Sequence, residues 1–167
     1  MGADASPSFD DTEFLVALQA KDELGLVVRA HIHIESELLL LLEALVRSKK
    51  NLARLELEYA QRVYLAAALG MKEAVVPPLL AVGTIRNAFA HRLNSKLTEE
   101  RVNNFYKAFS SEQRSLIDES FRLSRHHSPS FAGKSVRQLP LREQFVLLAS
   151  TARSLVQAER VSLARGR

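Results

Sequence analysis

The segment from Asp22 to Arg47, D-E-L-G-L-V-V-R-A-H-I-H-I-E-S-E-L-L-L-L-L-E-A-L-V-R, constrains the fold more than any other part of the chain. At about 100° per residue it places Val27, Ile34, Leu38, Leu41, Leu42 and Leu45 on an arc about 100° wide, and the other leucines of the segment extend the apolar surface beyond it. One neighbouring helix cannot cover so broad an apolar face, so this helix is expected at the centre of a bundle. It opens with acids and closes on Arg47, Lys49 and Lys50, the charge order that suits a helix dipole. His31 falls inside the apolar arc and Glu35 at its edge, one turn apart. Such a pair is either a structural contact between two buried polar groups or a device that tunes a functional His or Arg nearby.

The remaining chain repeats the helical period. Asp10 or Asp11 caps a short first helix, E-F-L-V-A-L. A helix over about 52–69 ends at Gly70, a natural C-cap. Pro77-Pro78 opens a helix that carries L-L-A-V-G-T-I-R-N-A-F-A-H-R, since proline is tolerated in a first turn. Thr98 starts the capping sequence T-E-E-R for a helix to Phe109, and 110–123 continues as another. Residues 124–138, with Pro129, Gly133 and several Ser, read as a basic loop before a last helix over 139–163. No segment alternates at period two long enough to make a strand. The expectation is an all-α fold, an up-and-down helical bundle of about five to six helices. It forms a single domain over 10–167 behind a flexible 1–9, a size that buries a core without staples.

Several function classes are excluded early. The chain has no Cys, hence no disulfide, no thiolate nucleophile and no Cys-based zinc site. The acidic start M-G-A-D-A-S-P-S-F-D-D lacks the basic and apolar regions of a signal peptide. The longest apolar run, Val63 to Leu69, is far below the roughly 20 residues of a membrane span. A cytoplasmic chain without a membrane partner is expected. Net charge is +4, but its distribution matters more. No acid lies between Glu119 and Glu143, where Arg122, Arg125, Lys134, Arg137 and Arg142 accumulate with His126 and His127. That run is either a solvated loop or a phosphate-tracking surface.

The stretch T-I-R-N-A-F-A-H-R, residues 84–92, breaks an otherwise apolar helix with Arg86, Asn87 and His91. With Leu79 at 0°, the core face of this helix carries Val82, Ile85, Phe89 and Leu93, between about 240° and 320°. Arg86 and His91 flank an arc about 140° wide whose middle is Gly83 and Ala90, small residues that leave room for a partner helix, a phosphate, or both. Asn87 lies one turn before His91, placed to orient the imidazole. The trio is either the polar end of an amphipathic helix or an active site. As a site its chemistry is specific. His transfers protons near neutral pH, and Arg is the preferred bidentate phosphate ligand. Together they suit attack by an RNA 2′-hydroxyl on the adjacent phosphorus, without a metal. One Arg–His set is thin, and a two-fold dimer would supply a second across the interface.

Arg86-Asn87-Ala88-Phe89-Ala90-His91 resembles the R-N-x-x-x-H signature of the HEPN superfamily, the higher eukaryotes and prokaryotes nucleotide-binding domains. The resemblance implies a small, typically dimeric helical bundle. It also implies metal-independent endoribonuclease activity without a cofactor, of the kind found in toxin–antitoxin systems and host defence. Arg86 and His91 would be the catalytic pair and Asn87 their positioning partner. His31 or Glu35 would correspond to a polar residue that some members contribute from an earlier helix. Arg92, Arg122, Arg125, Lys134 and Arg137 would hold the RNA. In the subgroup modified by a nucleotidyltransferase antitoxin, a Tyr stands two residues after the His. Leu93 occupies that place here, which counts against that antitoxin partner. The 26–46 stretch is also similar, more loosely, to the mannitol-repressor family. It implies the alternative of a non-catalytic dimeric regulator or interaction module in transcriptional control, with a regulatory protein as partner.

Overall fold

The computed structural model describes residues 11–91, 95–124 and 131–165. Among these are eight α-helices and no strand. They are α1 (Asp11–Ala17), α2 (Glu23–Leu45), α3 (Lys49–Arg54), α4 (Tyr59–Ala68), α5 (Val76–Ala90), α6 (Glu99–Ala108), α7 (Ser111–Ser124) and α8 (Leu141–Arg165). Short 3₁₀ turns precede α5, at Glu73–Val75, and α8, at Val136–Gln138. The segment 1–9, expected to be flexible, lies outside the described residues, as do Arg92, Leu93, Arg125, His126 and His127.

The all-α expectation holds, with α2 at the centre. Val27, Ile34, Leu38, Leu41, Leu42 and Leu45 are all buried, and α2 packs on α1, α4, α5 and α8. The wide apolar arc demands this arrangement. Each fully buried Leu or Ile contributes roughly 1.5–3 kcal/mol only when neighbours close over it from several sides. Its start is set by Asp22, whose side chain accepts a hydrogen bond from the Gly25 N–H at 2.6 Å. No helix among the described residues is long and apolar enough to cross a membrane.

The helix count exceeds the expected five to six, partly because the 52–69 segment is not one helix. Its chain breaks between Arg54 and Tyr59, where Glu56 takes a left-handed conformation (φ 47°) that a continuous helix cannot contain. A capping box of Glu58 and Gln61 then restarts the chain as α4. Periodicity alone runs through this break because L-E-L-E keeps a helix-compatible composition. Gly70 does follow α4 in the left-handed region (φ 117°), as its C-cap role requires. Thr98 caps α6 as expected, its side chain accepting from the Arg101 N–H.

The described part of the basic loop is tied to the core rather than free in solvent. Val136 is buried and Phe131 packs against the core cluster. Arg142 belongs to no charged surface, for its guanidinium donates to the carbonyls of Leu18 and Ala20 and pins the end of α1.

Candidate functional site

Helix α5 buries Val82, Ile85 and Phe89, the residues expected on its core face, and leaves Thr84, Arg86, Asn87, Ala90 and His91 outside the core. Gly83 borders a cleft but is itself closely covered. It is buried, and the ring of Tyr59 from α4 occupies the space beside it. A Cβ at position 83 would stand 2.8 Å from Cε1 and 2.9 Å from Cδ1 of that ring. Tyr59 is fixed on both sides: its hydroxyl donates to the Leu79 carbonyl at 3.0 Å, and its ring lies 4.3 Å from that of His31 on α2. Burial, reinforced by the Glu35 charge, pushes the phenol pKa well up, so Tyr59 acts as a neutral donor. At Gly83 the close approach is made by α4 of the same chain, while Ala90 remains exposed. Gly83→Ala is expected to destabilise the fold by roughly 1–3 kcal/mol, because the ring cannot retreat without losing both contacts. Urea unfolding measures the loss, and near-ultraviolet circular dichroism reports the displaced tyrosine.

Around this stack lies a cleft of ≈ 640 Å³, whose walls include His31 and Glu35 from α2, Glu58 and Tyr59 at the start of α4, and Arg86 and Asn87 from α5. Four of the five motif and supporting residues thus come together. His91 does not line this cleft. It caps the C-terminal end of α5, its N–H donating to the Asn87 carbonyl at 3.2 Å. The expected Asn87–His91 side-chain contact is also replaced: the Asn87 Oδ1 accepts from Arg86 Nη1 at 3.1 Å. Adjacent residues diverge by about 100° on a helix, but a guanidinium is long enough to fold back onto its neighbour.

The His31–Glu35 pair is looser than expected. His31 Nδ1 stands 3.9 Å from Glu35 Oε2, too far for a hydrogen bond. Glu35 is held instead by Arg62 of α4, with Nη1 2.5 Å from Oε1. Sequence reasoning missed both Arg62 and Tyr59. They share one face of α4 at i and i+3, but nothing local indicates that this face meets His31. With Glu35 committed to Arg62, burial and then the Arg86 charge lower the His31 pKa from 6.5 to about 4. His31 is therefore a neutral hydrogen-bonding group near pH 7 and a poor proton acceptor. Its folded-state value lies below the unfolded one, so its contribution to stability is complete above pH 6.5 and is lost as the pH falls toward 4. Compared with His31→Gln, the wild-type chain is expected to lose up to roughly 1.4 kcal/mol per pH unit across that window, measured by urea unfolding.

The described members of the proposed RNA-binding set gather elsewhere. Arg122, Lys134 and Arg137 line a separate cavity of ≈ 310 Å³ together with Tyr106 and Asp118. Arg122 is paired with Glu119 through two contacts of 2.9 and 2.6 Å, and Arg137 donates to Asn103 at 3.2 Å. This basic cavity shares no lining residue with the Arg86 cleft.

No family model, curated protein or solved structure matches this chain. The chemistry of the cleft is then the guide to function. It offers the Arg86 cation, the Asn87 amide, the neutral His31 imidazole and the carboxylates of Glu35 and Glu58. Among the described residues no group of three or more His, Asp or Glu side chains is arranged to hold a metal ion.

Proposed function

We propose that the chain is a HEPN-like endoribonuclease that works as a homodimer. One observation carries the reading: Arg86 and Asn87 sit on the wall of a cleft that also presents the neutral His31, while His91 stands exposed at the end of the same helix. In the proposed reaction the RNA 2′-hydroxyl attacks the adjacent phosphorus and the bond to the 5′-oxygen breaks. The products are a 2′,3′-cyclic phosphate and a 5′-hydroxyl. His91 accepts the proton of the attacking hydroxyl, the departing 5′-oxygen takes a proton from water, and Arg86 stabilises the charge that builds on the phosphoryl oxygens. Asn87 holds the guanidinium, and His31 donates or accepts a hydrogen bond without changing charge. A second copy packed on the exposed face of α5 would bring its own His91 toward this Arg86.

Incubation of the purified chain with RNA in EDTA, with analysis of the product ends, tests this. Cyclic phosphate ends are the expected result; intact RNA from a folded dimer overturns it. A second reading rests on the position of His91 outside the cleft. A non-catalytic regulator would use Arg86 and Asn87 to bind a nucleotide or nucleic acid without turnover. It predicts binding that Arg86→Ala abolishes and no cleavage.

A further inference from the structure

A cavity of ≈ 630 Å³ opens between the end of α1, α7 and α8 and shares no lining residue with the Arg86 cleft. Its volume falls within the roughly 300–1,000 Å³ of small-molecule sites. Leu18, Phe121, Phe131, Leu139, Val146 and Leu147 make its walls apolar, and the two Phe rings stand 6.2 Å apart.

The polar groups at this cavity differ in what remains open on them. Arg142 Nη2 engages the carbonyls of Leu18 and Ala20, and the Ser150 hydroxyl donates to the Val146 carbonyl at 2.8 Å. Glu143 is different. The residue is half-buried, and its Oε2 is shielded from water and has no hydrogen-bond partner among the described residues. A buried acceptor without a donor is costly, and a carboxylate most of all. The terminal torsion of a Glu side chain is broad and roughly two-fold, so an entering donor reaches the carboxylate without a backbone change. Aromatic walls add a further preference for a cation.

We infer that this cavity binds a lipophilic amine, its apolar body against the Leu, Val and Phe side chains and its ammonium on the Glu143 carboxylate. The site is independent of the ribonuclease reading.

Calorimetric titration of the full chain with decylamine, decan-1-ol and decanoate tests it. Decylamine is expected to bind at least about tenfold more tightly than either analogue, the margin of a charge-assisted hydrogen bond. Decanoate probes the opposite possibility, recognition of a carboxylate led by Arg142. Glu143→Gln should remove the amine's advantage over the alcohol without lowering the thermal midpoint, since the replaced oxygen has no partner to lose. Leu147→Trp, which narrows the cavity, should weaken all binding, and NMR shifts should centre on Phe131 and Leu147. Equal affinity for the three probes overturns the inference, as does an unchanged amine preference in Glu143→Gln. So do shifts centred elsewhere, or a destabilised Glu143→Gln, which would make the carboxylate structural.

Discussion

Arg86→Ala is expected to slow RNA cleavage by about 10²–10³-fold, the usual loss when one donor to a developing oxyanion is removed. His91→Ala should cost about 10²–10⁴-fold, the range for a general acid–base group. Both side chains are exposed, and the Arg86 guanidinium donates to its own neighbour Asn87 rather than to another helix, so both variants should fold with wild-type stability. Arg86→Lys separates charge from shape. It keeps the cation but loses the planar fork, and should recover only part of the rate. In a composite dimer site, mixing Arg86→Ala with His91→Ala subunits should restore activity, because one of the two composite sites regains an intact pair. Cleavage unchanged in both single variants would remove the motif from the chemistry.

Glu37→Ala is expected to destabilise the chain by about 3–5 kcal/mol, the cost of removing one partner of a buried ion pair. For a chain of this size that lowers the melting midpoint by roughly 10 °C. Glu37 is 1% exposed on α2 and holds three side chains of α8. Arg153 Nη2 donates to it at 3.0 Å, Gln157 Nε2 at 2.9 Å and Arg160 Nη2 at 3.2 Å. Arg153 is itself 4% exposed, with its guanidinium 4.7 Å above the Phe14 ring. Loss of the carboxylate leaves that cation deep in the α2–α8 interface. Charge burial, rather than lost volume, makes the effect large, and a double variant shows it. Glu37→Met combined with Arg153→Leu should recover most of the stability, because an apolar pair of similar volume incurs no desolvation cost. Thermal and urea unfolding of the single and double variants check both statements. A double variant no more stable than Glu37→Ala would assign the loss to packing.

Part of the cleft is legible in the helical period. Arg86 and Asn87 stand away from the core on α5 because Val82, Ile85 and Phe89 claim its other side, and that follows from period 3.6 alone. His31 is buried for the same reason on α2. What the periodicity leaves open is which polar neighbour each one meets. Glu35 pairs with Arg62, 27 residues away, rather than with His31 one turn away. The basic loop shows the same effect: Arg142 reaches back 124 and 122 residues to the end of α1 and leaves the basic cluster.

The amino-acid sequence by itself determined the all-α class, the central place of α2, the caps at Asp22, Thr98 and Gly70, and the outward placement of Arg86, Asn87 and His91. All of these depend on side chains within four residues of each other, where helix geometry leaves little choice. The tertiary structure alone decided that Tyr59 fills the space beside Gly83, that His31 is kept neutral, that Glu37 gathers three side chains of α8, and that Glu143 borders an apolar cavity. Those outcomes depend on where whole helices cross, set by the summed burial of many apolar residues rather than by any short stretch of chain.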